Sequence, residues 1–213
     1  MDYIIEVLPF LLDGFKTTLW VFGVTAIFSI PLGLIVCLLR LSKIKVISLL
    51  MQVYILVMRG TPLLLQITFI FFGLPILGIV LNRELATAIA FILNYAAYFA
   101  EIFRGGINSI DKGQFEAAKV LKLSKSTTYF GIIFPQVFKT VFPSLGNELI
   151  TLVKDTSLVY ILGLGDILRA ARTLSNKDAS LIPLFIAGSM YLVFIGILTL
   201  ILRRVESKFE YYR

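Results

Sequence analysis

Long apolar runs dominate this chain and set the class of protein that it forms. The two clearest runs extend from about Thr17 to Leu39 and from about Leu181 to Leu202. A helix needs about 20 mostly apolar residues to cross a bilayer, and within the hydrocarbon it satisfies its own backbone hydrogen bonds. Because 58% of the 213 residues are hydrophobic, no length is left for a separate soluble domain. The sequence therefore predicts an all-α integral membrane protein with one transmembrane domain, residues 1–213.

Three further apolar segments complete a prediction of five transmembrane helices. They run from about 46 to 81, from about 85 to 103 and from about 137 to 164. The first of them contains Arg59-Gly60-Thr61-Pro62, and we expect a break there because proline cannot donate a helical hydrogen bond. Ahead of all five, residues of about 1–15 alternate apolar and acidic side chains, which predicts an amphipathic helix at a membrane surface.

Basic residues are concentrated on one predicted side of the membrane. The inner side holds Arg40, Lys43, Lys45, Arg104, Lys112, Lys119, Lys122, Lys125, Arg203, Arg204, Lys208 and Arg213. The outer side holds Lys16, Arg83, Arg169, Arg172 and Lys177. Since segments rich in Lys and Arg stay in the cytoplasm, we expect the amino terminus outside and the carboxyl terminus in the cytoplasm.

Several kinds of chemistry are absent from the composition. The chain has no histidine and a single cysteine, Cys37, which excludes histidine metal sites, Ser-His triads and an internal disulfide. It has no Gly-x-x-x-x-Gly-Lys-Ser/Thr loop for the phosphates of a nucleotide. Its net charge of +7 is spread between apolar segments, which fits membrane orientation and not nucleic-acid binding. We therefore predict no enzyme activity, no metal and no cofactor in this chain.

Four charged residues fall inside the predicted spans: Glu101, Glu148, Lys154 and Asp155. An ionised group at the bilayer centre costs about 2.5–3.5 kcal/mol on insertion scales, so such groups usually face protein or water. One interpretation is internal pairing, of Lys154 with an acid and of Glu101 with Arg104 on the next turn. The other is a polar cavity between the third and fourth spans, in which acids outnumber the lysine. Both interpretations stay open at the level of sequence.

The cavity interpretation predicts a site for a zwitterion that carries an extra positive charge. An acid would bind the cationic end, and Lys154 or Arg104 would bind the carboxylate. The candidate substrate-binding residues are Glu101, Asp155, Lys154, Glu148, Asn94, Tyr98, Arg104, Asn147, Thr156 and Ser157. Thr151 adds a further hydroxyl to the same wall. Arg59 stands apart from this set, either extending to the inner interface or forming a specific pair.

The longest polar interval, residues of about 105–135, separates the third span from the fourth. Its apolar residues Ala117, Val120 and Leu121 follow helical spacing, which predicts a short amphipathic helix of about 114–123. The lysines of this interval fall mostly off the apolar stripe. Such a helix either lies among lipid headgroups or inserts into a cleft on a partner protein.

Four separated motifs stand out along the chain. In order they are Arg59-Gly60-Thr61-Pro62-Leu63-Leu64, Ala100-Glu101-Ile102-Phe103-Arg104-Gly105-Gly106, Glu116-Ala117-Ala118 with the later Ile133-Phe134-Pro135-Gln136, and Lys154-Asp155-Thr156-Ser157-Leu158. Together they give the chain a strong resemblance to the permease subunits of polar amino acid ABC importers, the family of histidine, glutamine and arginine permeases. The resemblance extends from about Phe15 to Arg204. It implies the type I importer fold, with five core spans, in a bacterial plasma (inner) membrane.

The resemblance also implies partners. Two permease subunits, the second being another copy or a relative, would bind two cytoplasmic ABC ATPase subunits, which hold ATP and Mg, and an extracytoplasmic amino acid-binding protein. The Glu-Ala-Ala (EAA) segment would be the coupling helix. It would dock on the ATPase through Glu116, Ala117, Ala118, Val120, Leu121 and Lys122.

One position departs clearly from the family pattern. The family usually has glycine four residues after the second alanine of the EAA segment, where this chain has Lys122. Glycine adopts a positive φ without strain, so the lysine argues against the tight turn expected there and suggests instead a contact with an acid on the ATPase. Phe134 in place of the usual leucine is a milder change.

These features predict the transmembrane subunit of an ATP-driven importer for polar amino acids, with basic ones favoured by the acidic excess. The alternative is an ion-coupled secondary amino acid carrier in which Glu101 and Asp155 titrate, but an odd number of spans without an internal repeat argues against it. A hydrolase built on Ser157 and Lys154 is disfavoured because the chain has no histidine and no visible oxyanion hole.

Overall fold

The computed structural model of the protein describes residues 2–209, with Asp2 and Phe209 described by their backbone alone. Within this range the chain is helical and contains no strand. The helices are α1 (Asp2–Arg40), α2 (Lys45–Gly60), α3 (Leu63–Thr68), α4 (Arg83–Asn108), α5 (Lys112–Val120), α6 (Phe134–Asp155), α7 (Ile167–Asp178) and α8 (Ile182–Phe209). Short π-helical and 3-10 segments adjoin them at Phe69–Gly73, Leu74–Leu77, Thr127–Ile133 and Thr156–Leu162. Arg213, predicted on the inner side, lies outside the described residues.

α1 contains both the predicted amphipathic segment and the first predicted span in one continuous helix. Its amino-terminal part buries Val7 and Leu11 in a small apolar cluster with Ile167 and Ala171 of α7. The described part of the predicted amphipathic segment, from residue 2 to about 15, is therefore held against α7 and is continuous with the rest of α1. Its depth in the bilayer stays a prediction.

The predicted break in the second span is confirmed. The helix Lys45–Gly60 and the segment Leu63–Leu77 meet at an angle of 103°. The break frees the backbone carbonyl of Met58, which then accepts hydrogen bonds from the side-chain amides of Gln66, at 2.9 Å, and Asn94, at 2.8 Å. Because buried backbone groups must be paired, these two amides stabilise the broken helix end.

α4 lies at the centre of the fold and packs against α1, α2 and α6. Its buried side chains are mostly small or aromatic: Ala86, Ala90, Phe91, Tyr95, Ala96, Ala97, Phe99 and Ala100. The small ones allow α1 to approach closely. At one such contact α1 has Gly33, where a Cβ atom would lie 2.7 Å from Cβ of Phe99. Close packing thus fixes α4, which carries several of the predicted site residues.

By length and composition, α1, α4 and α8 are each able to cross a membrane, and the bent pair of α2 and Leu63–Leu77 makes a fourth candidate span. α6, which contains most of the predicted fourth span, is more polar and is not among these candidates. The structure agrees with a multi-pass helical membrane protein. The count of five spans and the orientation of the termini stay predictions.

Candidate functional site

A cavity of about 590 Å³, called here the central cavity, lies where the break between α2 and α3 faces α4 and α6. It is lined by Arg59, Gly60, Thr61, Pro62, Leu63, Leu64, Asn94, Tyr95, Tyr98, Glu148, Thr151, Asp155 and Leu158. The helical period explains the choice of residues, because positions three or four apart share a face. Asn94 and Tyr98 are so related on α4, and Glu148, Thr151 and Asp155 on α6.

Acidic groups outnumber basic groups in the lining of the central cavity. Glu148 and Asp155 are its acids, and Arg59 is its one basic residue. The buried hydroxyl of Tyr95 donates a hydrogen bond of 2.7 Å to Oδ2 of Asp155. Since a carboxylate has about four acceptor positions, Asp155 keeps capacity for a cationic ligand. The cavity therefore provides acceptors for a positive group along α6 and a donor for a negative group at the end of α2.

Glu101 lies outside the central cavity, in a cluster with three arginines. Nη2 of Arg104 donates to Oε2 of Glu101 at 2.9 Å, so the predicted pair of these two residues is confirmed. Nη1 of Arg40, in the last turn of α1, donates to Oε1. Nη1 of Arg59, in the last turn of α2, lies 3.6 Å from Oε2. Three arginines against one glutamate leave the cluster with an excess of two positive charges.

A second cavity of about 610 Å³, called here the arginine-side cavity, borders this cluster. Its lining consists of Arg40, Leu49, Gln52, Val53, Ile55, Leu56, Arg59, Gly60 and Glu101. Arg59 and Gly60 line both cavities. The end of α2 is therefore the wall that the two cavities share.

The structure brings together some of the predicted substrate-binding residues and separates others. Asn94, Tyr98, Glu148 and Asp155 line the central cavity. Glu101 and Arg104 belong to the arginine cluster instead. The acidic excess predicted for the cavity is thus smaller than the sequence suggested, because Glu101 is already paired.

Four other predicted residues do not line the central cavity. Lys154 is exposed and forms no ion pair with an acid in the described part of the chain, which does not support the pairing interpretation that the sequence left open. Thr156 and Ser157 donate their hydroxyls to backbone carbonyls of the preceding turn. Asn147 lines a separate groove between α6 and α8. Neighbouring residues of a helix point about 100° apart, so only one face of α6 reaches the cavity.

Arg59 and Tyr95 line the central cavity but are absent from the predicted set. Arg59 has a usable signal, since it directly precedes the predicted break at Gly60-Thr61-Pro62. A charged side chain at a broken helix end is well placed to face a cavity. Tyr95 has no such signal, because its partner Asp155 is 60 residues away in the chain.

The polar interval of about residues 105–135, called here the central loop, presents an exposed apolar surface at the end of α5 and directly after it. Val120 is 80% exposed and Leu121 is 69% exposed. Glu116 and Ala117 are exposed on the same short helix. Ala118, by contrast, is 3% exposed and is covered by the chain itself. Most of the residues predicted to bind the ATPase are therefore accessible, but Ala118 is not.

α5 ends in a tight turn at Lys122. This residue has a φ of 51°, in the left-handed region. The N–H of Leu123 donates to the carbonyl of Ala118 at 3.0 Å, and the N–H of Lys122 donates to that of Lys119 at 3.1 Å. These two bonds form the Schellman pattern that commonly ends a helix. The turn that Lys122 argued against is thus present, with lysine in a conformation that glycine usually adopts.

Comparisons with known sequences point to one family. The family model described as "Binding-protein-dependent transport system inner membrane component" matches residues 7–211. The arginine transport system permease protein ArtQ of Bacillus subtilis (strain 168) is 40% identical over 205 residues, which cover 95% of this chain and 94% of that protein. A putative glutamine transport system permease protein GlnP of Rickettsia felis (strain ATCC VR-1525 / URRWXCal2) is 36% identical over 212 residues, which cover 97% of each.

Solved structures share the fold. A crystal structure of an amino acid ABC transporter with histidines matches with a TM-score of 0.90 and 32% identity, covering 97% of both chains. An inward facing conformation of the MetNI methionine ABC transporter matches with a TM-score of 0.80 over 98% of this chain and 99% of that one. The second likeness, at 15% identity, shows the fold alone. With the family match over nearly its whole length, this chain belongs to the binding-protein-dependent transport system inner membrane components, the permease subunits of ABC importers.

Proposed function

We propose that this chain forms the translocation path of an ATP-driven importer for polar amino acids, with cationic amino acids preferred. The observation that carries the proposal is the central cavity, where Glu148 and Asp155 are accompanied by Arg59 as the one basic residue of the lining. An amino acid with a cationic side chain offers two positive groups and one negative group, which matches these charges in number. The names of the relatives, one for arginine and one for glutamine, support amino acids as the substrate class.

The energy for transport comes, in this proposal, from cytoplasmic ATPase subunits that hold ATP and Mg. Exposed apolar residues such as Val120 and Leu121 on a short loop helix fit a cleft on a protein partner, and Glu116 anchors the same contact. The complete importer has two ATPase subunits, two permease subunits and an extracytoplasmic amino acid-binding protein. The second permease is another copy of this chain or a relative. The permease crosses the lipid with five spans, its amino terminus outside and its carboxyl terminus in the cytoplasm.

The sequence order of the elements suggests how the coupling works. α4 directly precedes α5, and α6 follows it after one short helical segment. The two helices that flank α5 in the sequence, α4 and α6, therefore both contribute walls of the central cavity. Motion of α5 on the ATPase would change the separation of those walls and switch the cavity between two states.

Uptake by proteoliposomes that contain this chain, its ATPase and its binding protein tests this function. We expect ATP-dependent uptake of labelled arginine, lysine or histidine. Unlabelled glutamine should compete only weakly with this uptake. Equal uptake of arginine and glutamine would contradict the cationic preference. Uptake driven by an ion gradient without ATP would instead support the ion-coupled secondary carrier, against which the family membership already weighs.

A further inference from the structure

Arg59 occupies an unusual position among the basic residues near the central cavity. It is in the last turn of α2, and its side chain, which is 42% exposed, lines both the central cavity and the arginine-side cavity. Arg104 and Lys154, which the sequence suggested as partners for a carboxylate, line neither cavity. A negative group in the central cavity therefore has Arg59 as its basic neighbour.

The guanidinium of Arg59 is loosely held. Its Nη1 lies 3.6 Å from Oε2 of Glu101, and its Cζ lies 5.1 Å from the centroid of the Tyr98 ring. No oxygen of the described residues accepts a hydrogen bond from this guanidinium, although a guanidinium has five N–H donors in a fork that matches a carboxylate. The donors of Arg59 are therefore available to a ligand.

Glu101 does not depend on Arg59 for its own pairing. Nε and Nη2 of Arg104 donate to Glu101 at 3.1 and 2.9 Å, and Arg40 donates to Oε1 as well. A shift of Arg59 away from Glu101 thus leaves no carboxylate unpaired. Leaving a buried charge unpaired would be the costly step, and this arrangement avoids it.

The two ends of the central cavity differ in charge. Glu148 and Asp155 lie along α6, and Arg59 lies at the end of α2. Within the described residues no ion pair joins Arg59 to either of these acids; its contacts are with Glu101 and Tyr98 of α4. A basic amino acid such as arginine has its carboxylate at one end and its cationic side-chain group at the other, which suits this separation.

Building on the function proposed above, we propose that Arg59 is a specificity-determining residue that binds the α-carboxylate of the transported amino acid. To reach the carboxylate, the guanidinium of Arg59 moves away from Glu101. The bond is the forked, charge-assisted kind that arginine makes with carboxylates. Glu148 and Asp155 bind the cationic end.

Agmatine, which is arginine without its carboxylate, provides a direct test. Binding of labelled L-arginine, L-glutamine and agmatine is measured on the complex of this chain with its ATPase and any second permease, without the binding protein, which would impose its own selection. In the Arg59→Gln variant we expect the affinities for arginine and glutamine to fall about ten- to hundredfold, because each loses a charge-assisted contact. The affinity for agmatine should change less than about threefold on the same scale.

One comparison variant removes the same charge from an exposed residue that does not line the central cavity. Lys154→Gln should keep the wild-type ratio of arginine affinity to agmatine affinity. Arg59→Lys keeps the charge but loses the forked donors of the guanidinium. It should therefore lower the affinity for arginine less than Arg59→Gln does and leave the affinity for agmatine unchanged. If Arg59→Gln fails to assemble, Arg59→Lys still allows the ratio of arginine affinity to agmatine affinity to be compared with that of the wild type.

The outcomes separate this inference from the proposed function. If the affinity for all three ligands fell equally in both Arg59 variants, Arg59 would have a structural role and the inference would be overturned. A wild-type complex that prefers glutamine to arginine would contradict the cationic preference, yet the effect of Arg59→Gln on glutamine would still decide the role of Arg59. A wild-type complex that binds none of the three would overturn both.

Discussion

The hydroxyl of Tyr95 donates a hydrogen bond of 2.7 Å to Oδ2 of Asp155, and this contact joins α4 to α6 at the wall of the central cavity. Tyr95 is itself buried between neighbouring aromatic rings of α4, with Phe91 stacked at 6.3 Å and Tyr98 tilted at 6.2 Å. The ring therefore has a fixed position, and the hydroxyl fixes the orientation of the carboxylate. An acid oriented in this way is ready to accept a cationic ligand.

Removal of the Tyr95 hydroxyl should weaken the binding of cationic substrates. In Tyr95→Phe the ring still fills its place, but Asp155 loses its fixed orientation. We expect the affinity for arginine to fall about three- to tenfold, the usual worth of one hydrogen bond, with little change for glutamine. Tyr160→Phe is the matched control, because Tyr160 does not line the central cavity and presents its ring face to Arg172, a face that it keeps without the hydroxyl. Similar losses in the two variants would contradict the role given to Tyr95.

Neutral variants of the two cavity acids should separate cationic from neutral substrates. In Glu148→Gln and Asp155→Asn we expect arginine uptake to fall tenfold or more, because about one charge-assisted contact is lost, while glutamine uptake changes little. Uptake into proteoliposomes, measured for both amino acids, gives the ratio. Glu206→Gln, in a separate groove, should leave the ratio unchanged. Equal loss of both substrates in the cavity variants would argue that these acids stabilise the fold only.

Glu101→Gln should behave differently from those variants. Glu101 is 16% exposed and pairs with Arg40 and Arg104, so its neutralisation leaves guanidinium groups without their acid. Because the cluster keeps some access to water, we expect a loss of stability near the lower end of about 3–5 kcal/mol. Thermal unfolding of the purified complex measures this loss. If Glu101→Gln lost arginine uptake selectively while its stability was unchanged, Glu101 would be a substrate-binding residue after all.

The left-handed lysine of the central loop predicts a stabilising substitution. Lys122→Gly should stabilise the loop by about 1 kcal/mol, because a side chain in the left-handed conformation costs about 1–2 kcal/mol and glycine avoids that strain. Lys119→Gly, three residues earlier and inside α5, is the control of opposite sign, since glycine within a helix costs about 1 kcal/mol. Resistance of the loop to limited proteolysis should rise in the first variant and fall in the second. A loss of resistance in both would mean that the side chain of Lys122 supports the loop.

Charge changes on α5 and at the residue that follows it test the predicted contact with the ATPase. Glu116→Lys, and separately Leu121→Asp, should abolish co-purification of the ATPase while the permease still inserts in the membrane, because each change puts an unfavourable charge in the contact. Glu84→Lys, an exposed reversal at the start of α4, should leave co-purification intact. Full recovery of the ATPase with the α5 variants would place the contact elsewhere.

Local signals in the sequence predicted local features well. Glycine and proline at Gly60-Thr61-Pro62 act on their own backbone, so the break of 103° could be expected at that place. The pair of Glu101 and Arg104 follows from helical spacing alone. Arg40 joins the same carboxylate from 61 residues away, and no local rule shows that. The full cluster depends on how α1, α2 and α4 pack together.

The residues that line the central cavity were harder to predict, because they too depend on how the helices pack. α6 has polar residues on several faces, so its composition does not show which face is turned inward. Asp155 lines the cavity while its neighbour Lys154 is exposed, and a rotation of one residue would exchange them. The turn at Lys122 was missed because lysine rarely adopts a positive φ, whereas two backbone hydrogen bonds after α5 stabilise that conformation here.

The carbonyl of Met58 has a mechanical consequence. Because the amides of Asn94 and Gln66 both donate to it, α2, α3 and α4 are bonded together at the break. We therefore expect these three helices to move together, with no free hinge at the bend. A widening of the central cavity would then come from displacement of α6, which would have to break the hydrogen bond between Tyr95 and Asp155.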